Sequence, residues 1–284
     1  MQHQRLEQLP NGYLEPYEMH PGQELKALLL NFYPNDKRGF LVQADSDFRA
    51  DGELKNVFHD SFINYLVRKL VTATIYLSKE HKDHGDGKVK REIRSYLEYY
   101  SPFTGAHLLK VADILYRCLQ ASEDDFDDRS KRAVKYQADK YNWGCFACGL
   151  PLELKDSTAS NYATSDHKWP KGMGGLSKQE NIRLLCKECN NRYKKDYIEA
   201  SDYHYEEIAL THRNYEDFEK KEKKYNRIYE FAVLAKSDFT CIGCGQPAYK
   251  VGELKMGRKS TADSWHYINL GAFCSSCNLK NDGK

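Results

Sequence analysis

From about residue 53 to residue 79, Val57, Phe58, Phe62, Tyr65, Leu66, Leu70, Val71 and Ile75 recur at steps of three and four. That spacing places apolar side chains on one face of a helix, so the pattern predicts a long amphipathic helix. Shorter patterns of the same period predict helices over 24–32, 89–99, 105–120 and 130–141. Pro34-Asn35-Asp36, the turn from His81 to Gly87 and Ser101-Pro102 separate them. Residues 1–22 carry Pro10, Asn11-Gly12, Pro16 and Pro21-Gly22 and read as extended and turn-rich. Residues 36–52 read as loop or weak strand. The acidic run Glu123–Asp128 stands before the helix at 130–141, where carboxylates suit the positive end of the helix dipole. Helical spacing returns at Tyr225, Ile228, Tyr229, Ala232 and Val233, predicting a helical connector over 201–236.

Residues 1–128 are therefore expected to form a mostly helical domain, and nothing in them indicates chemistry. His81 and His84 read as solvated turn residues. Cys118, between Leu115 and Leu119, reads as a small buried apolar group.

After residue 140 cysteine replaces periodicity as the signal. Eight of nine cysteines fall into Cys-x-x-Cys pairs at 145/148, 186/189, 241/244 and 274/277. The start of the chain lacks the basic and apolar segments of a secretory signal, and Leu66–Leu77 is too short and too charged to span a bilayer. A cytoplasmic chain without membrane insertion is expected, and paired cysteines there read as metal ligands, not disulfides. Two structural zinc ions follow: one on Cys145, Cys148, Cys186 and Cys189, the other on Cys241, Cys244, Cys274 and Cys277. Four thiolates at tetrahedral geometry make a closed site that replaces a core too small to form otherwise.

The two cysteine modules repeat one another. Trp143-Gly-Cys-Phe-Ala-Cys-Gly-Leu-Pro151 matches Phe239-Thr-Cys-Ile-Gly-Cys-Gly-Gln-Pro247. Asn181 and Asn269 each stand five before the third cysteine, and Asn190 and Asn278 directly follow the fourth. Between the pairs lie 37 residues in the first copy and 29 in the second. The first copy holds the doublet Asp166-His167; the second has none, and its only histidine is His266.

Charge separates the copies further. The net charge is +2, but residues 129–200 carry 14 Lys and Arg against 8 Asp and Glu. A positive block over the first module suits a polyanion.

Asp166-His167-x-x-Pro170-x-x-x-Gly174-Gly175, then Asn181, then Cys186-x-x-Cys189-Asn190 resembles the HNH endonuclease family, in its four-cysteine form with Asn last. The resemblance covers about residues 143–197. It implies a ββα-metal fold and hydrolysis of DNA phosphodiesters with a divalent cation such as Mg²⁺. It implies that His167 is the general base, that Asp166 and Asn190 hold the catalytic cation, and that Asn181 fixes the loop and orients the base. The residue chemistry agrees. Imidazoles as a class accept protons near neutral pH, and a carboxylate with an amide oxygen suits Mg²⁺. Gly172, Gly174 and Gly175 would let backbone approach a substrate. Lys168, Lys171, Lys178, Arg183, Lys187, Arg192, Lys194 and Lys195 would contact phosphates.

The expected fold class is α+β: a helical domain (1–128), an HNH zinc module of treble-clef type (129–200), a helical connector (201–236) and a degenerate zinc module (237–284). The expected function is a DNA endonuclease or nickase, an effector of prokaryotic restriction or anti-phage defence. A phage or mobile-element nuclease is the alternative role. A catalytically silent zinc module that binds DNA or a protein is the competing function. One site per chain cuts one strand, so double-strand breaks would need a homodimer or two nicks. Residues 1–128 are open to a protein partner, a ligand or DNA. For the second module, gripping DNA or dimerising is favoured slightly over bracing the first.

Overall fold

The computed structural model describes residues 19–34, 52–81, 85–193, 230–231, 233–261 and 269–278. Among the described residues five helices come first: α1 (Pro21–Phe32), α2 (Gly52–Glu80), α3 (Asp86–Tyr100), α4 (Gly105–Glu123) and α5 (Asp128–Lys140). α1, α2 and α3 all pack on α4. Their core holds Leu25 and Leu29 of α1, Ile63, Val67 and Val71 of α2, Ile93 and Leu97 of α3, and Val111, Ile114, Leu115 and Cys118 of α4. Burial pushes the Cys118 thiol up to about 12, so it stays protonated and packs as a small apolar group.

α1 begins earlier than its apolar period predicts. Pro21 and Gly22 read as a turn, yet Pro21 opens the helix, where a missing N–H is no loss. The Gln23 side chain closes the start by accepting from the His20 backbone N–H at 3.2 Å. α5 starts where the acidic run predicts: the Asp127 carboxylate accepts from the Ser130 N–H at 2.8 Å. Much of the connector expected over 201–236 lies outside the described residues, as do His84 and His266; residues 233–236 are helical. Among the described residues, no helix is long and apolar enough to cross a membrane.

Two hairpins follow. In the first, β1 (Ala163–His167) pairs antiparallel with β2 (Ile182–Cys186), and a helical turn at Cys189–Tyr193 comes after. The second copy runs through the short α6 (Ala248–Val251), then β3 (Leu254–Arg258) paired with β4 (Leu270–Cys274), and α7 (Ser275–Asn278). The turns that carry the first cysteine pair of each copy share their backbone bonds. Cys145 N–H donates to the Leu150 carbonyl at 2.7 Å and Phe146 N–H to that of Leu184 at 2.9 Å. Cys241 N–H donates to Gln246 at 2.9 Å and Ile242 N–H to Ala272 at 2.9 Å. Gly149 and Gly245 make the same left-handed turn, with φ of 72° and 70°. The duplication read from the cysteines therefore extends to the backbone.

The two copies share one core. Cys145, Ala147, Leu185, Cys186 and Cys189 of the first pack with Phe239, Cys241, Ala248, Leu254, Ala272 and Cys274 of the second, with Phe231 and Leu234 alongside. Gly149 comes so close that a Cβ there would meet the Gly252 carbonyl carbon at 2.3 Å. The second module is thus packed onto the first.

The boundary at residue 128 is no gap either. Met173 lies in the helical core and Trp169 packs against it. The Gly22 N–H donates to the Gly174 carbonyl at 3.2 Å. The loop between β1 and β2 is built into the helical region.

Candidate active site

In each cysteine cluster the four sulfurs lie within 4.8 Å of one another. Cys148 Sγ and Cys186 Sγ are 3.9 Å apart, as are Cys244 Sγ and Cys274 Sγ. A tetrahedron with Zn–S bonds of about 2.3 Å has edges of about 3.8 Å, so both clusters fit zinc. Backbone N–H groups point at the sulfurs: Cys186 N–H at Cys145 Sγ (3.2 Å) and Cys189 N–H at Cys186 Sγ (3.4 Å). Such donors favour the thiolate form that a metal needs.

The strand register decides which site residues meet. Asp166 is paired with Arg183, and His167 with Ile182. Neighbouring residues on a strand face opposite ways. Thr164, Asp166, Arg183 and Leu185 share one face; Ser165, His167, Ile182 and Leu184 share the other. Asn190 joins the Asp166 face, its Nδ2 donating to Thr164 Oγ1 at 3.0 Å. The second copy agrees: its Asn278 Oδ1 lies 2.8 Å from where a Cβ on Gly257 would stand. Gly257 takes the place of Asp166, since both stand fourth in strands that begin opposite the third cysteine. The structure therefore brings Asp166 and Asn190 to one face and turns His167 to the other.

Asp166 is not open to solvent. Its Oδ2 accepts from Arg183 Nε at 2.8 Å, with the two side chains 1% and 3% exposed. The Arg183 guanidinium also lies over the Phe146 ring, 5.3 Å from its centroid. The expectation that Arg183 contacts phosphate is thereby corrected: it is a buried partner of Asp166. Removing one member of such a pair strands a buried charge, at about 3–5 kcal/mol. Gly257 and Gly271 hold the equivalent places in the second copy. Arg183→Gly alone is therefore expected to destabilise more than Asp166→Gly/Arg183→Gly together, as urea denaturation would read. Equal losses would mean that the pair carries no coupled charge penalty.

Phe126 and Ser177 both hold His167. Its ring stacks on Phe126, with centroids 3.9 Å apart and an interplanar angle of 23°. Its Nε2 lies 3.0 Å from Ser177 Oγ. Ser177 in turn donates to the backbone carbonyl of Asp124 at 3.0 Å. Phe126 and Asp124 belong to the acidic run, which the helix dipole alone had explained. Position gave one signal: Phe126 is the single apolar residue among five acids. Ser177 left no trace in spacing or composition.

Asn181 bonds the loop that follows β1. It is 1% exposed. Its Oδ1 accepts from Trp169 N–H at 2.7 Å, and its Nδ2 donates to the carbonyls of Trp169 and Leu176 at 3.1 and 2.8 Å. The loop from Lys168 to Leu176 is thus pinned to one amide. In the second copy Asn269 binds Ser260 N–H and Ser260 carbonyl in the same manner, both at 3.0 Å.

The loop glycines have a different purpose from the one their sequence suggests. At Gly174, φ is 75° and a Cβ would stand 2.5 Å from Cys118 Sγ; at Gly175 it would meet the Trp169 carbonyl oxygen at 2.0 Å. Both let the loop pack against protein rather than substrate. Gly172 alone faces open space.

Among the basic residues, Lys168, Lys178 and Lys187 are exposed. Lys171 reaches Asp125 at 2.6 Å, and its hydrogen bond holds the Asp125 carboxyl below the usual range. Arg192 sits on the helical turn after Cys189, whereas Lys194 and Lys195 lie outside the described residues. α5 adds Arg129, Lys131, Arg132, Lys135 and Lys140 beside the hairpin.

Compared with known families, residues 145–196 match the profile described as HNH endonuclease. No curated protein and no solved structure matches the chain.

Proposed function

With an HNH endonuclease domain at residues 145–196, we propose that the chain is a metal-dependent DNA endonuclease that cuts one strand at a time. The difference between the two copies carries this reading. The second copy builds the same hairpin, the same asparagine hold on the residue two after the first strand and the same cysteine cluster with Gly257-Arg258 in place of Asp166-His167. A frame that forms without the doublet has no structural need of it. Burying a carboxylate against an arginine is costly in desolvation, so its presence in the first copy points to chemistry.

His167 is the base. It takes a proton from water as the water oxygen bonds to phosphorus, and the bond from phosphorus to the sugar oxygen breaks. That oxygen leaves with a proton from solvent. The Asp166 carboxylate and Asn190 amide are hard oxygen donors on one face and would hold a divalent cation such as Mg²⁺. Such an ion, when bound, offsets the charge that develops on the phosphate. Arg183 neutralises and orients Asp166, and would have to share that carboxylate with the ion. Asn181 sets the loop that follows His167. Lys168 and Lys178 contact DNA backbone, which positions the duplex without reading its sequence.

Supercoiled plasmid incubated with the protein should be nicked with Mg²⁺ and left intact with EDTA. Salt-sensitive retention of DNA without nicking would favour the binding module instead, and neither result a protein-interaction role. The grip of the helical region on the loop favours a regulated nuclease, hence a restriction or anti-phage effector over a free phage or mobile-element enzyme. Cells expressing the chain should then resist phage infection, and cells expressing His167→Ala should not. Equal plaque counts would remove the defence role.

A further inference from the structure

A hydroxyl has one proton, and the bonds of Ser177 say where it is. The Asp124 carbonyl can only accept. At 3.0 Å from Ser177 Oγ it must receive the Ser177 proton, because two oxygens at that distance with no hydrogen between them repel. Ser177 Oγ is then left as the acceptor for His167 Nε2, also at 3.0 Å. Nε2 therefore carries the ring hydrogen, and the lone pair of the neutral imidazole is on Nδ1. Phe126, two residues beyond Asp124, stacks on the ring and opposes a flip that would exchange the two nitrogens. Ser177 is itself only 8% exposed, so water competes weakly for this chain of bonds.

We propose that Ser177 is a positioning residue for the base: it selects the tautomer of His167 and so makes Nδ1 the nitrogen that accepts the proton. The catalytic part of this inference rests on the nuclease reading above, whereas the tautomer does not. The same bonds serve the imidazolium, whose Nε2–H keeps Ser177 as its acceptor while Nδ1 holds the new proton. The anchor of the chain is the Asp124 backbone carbonyl, so no carboxylate of the acidic run is required. It is also the residue directly after α4, which ties the base to the helical region.

Long-range ¹H–¹⁵N spectra of full-length zinc-loaded protein test this, with the His167 signals assigned by their loss in His167→Ala. The native protein should show Nε2–H at His167. Ser177→Ala should show a mixture with Nδ1–H, and Ser177→Thr, which keeps the hydroxyl, should restore the native form. Zinc content should be unchanged in both. In plasmid nicking, Ser177→Ala should lower kcat by about 10–100-fold, the usual loss when a group that orients a functional side chain is removed. KM should be unchanged and Ser177→Thr should recover most of the rate. Nδ1–H in the native protein, or an unaltered tautomer in Ser177→Ala, overturns the proposal. If the native protein shows no nicking but the tautomer follows the hydroxyl, the positioning stands and the nuclease reading fails.

Discussion

Replacing His167 with alanine is expected to lower metal-dependent nicking by about 10²–10⁴-fold, the range that a general base contributes. Zinc should remain at two ions per chain, because neither four-cysteine cluster includes this residue. The frame should persist too, since Arg258 stands in the same place of the second hairpin. Loss of the stack on Phe126 and the bond to Ser177 will lower thermal stability somewhat. The comparison is therefore made well below the melting transition. A variant that nicks within a few-fold of the native rate would show that the base lies elsewhere and would sink the assignment. The effect should not be imitated by Lys168→Ala. That residue is exposed, and its loss should weaken DNA binding in a salt-dependent way.

The second large effect concerns the cysteines. Structural zinc contributes about 10–16 kcal/mol in small modules, as much as the whole stability of an ordinary domain, about 5–15 kcal/mol. Cys186→Ser should therefore unfold the first module. Because Leu185, Cys186 and Cys189 pack with Phe239, Leu254 and Ala272, the loss should spread to the second site. Zinc content should fall from two ions toward none, not to one. The helices should survive, since most of their core comes from α1 to α4. Metal analysis with circular dichroism would check both points. A stable variant with one zinc would show that the modules fold independently. Cys118→Ala should leave both ions in place.

Secondary structure and the zinc frame were legible in the sequence because both rest on local rules. Apolar steps of three and four gave the helices to within a few residues, missing α1's start where Pro21 opens it. Cysteine spacing gave both clusters and the duplication. What the sequence hid were contacts between residues far apart in the chain. Arg183 stood among basic residues, and only the register opposite Asp166 shows that it is buried. Gly174 resembled a substrate-facing glycine until Cys118 was found against it. Ser177 and Asp124 meet across 53 residues, and no periodicity records such a meeting. Distances of this kind are set by tertiary packing, which composition and spacing do not encode.

The core shared by the two zinc modules has a consequence in time. A chain is made from its N-terminus, so the helical region and the first hairpin leave the ribosome before the second hairpin exists. Until then Leu185, Cys186 and Cys189 lack the apolar cover that Phe239, Leu254 and Ala272 supply. The frame that carries Asp166 and His167 is therefore finished only once the second hairpin has been made. A chain that stops short of the second hairpin leaves the first one without this cover.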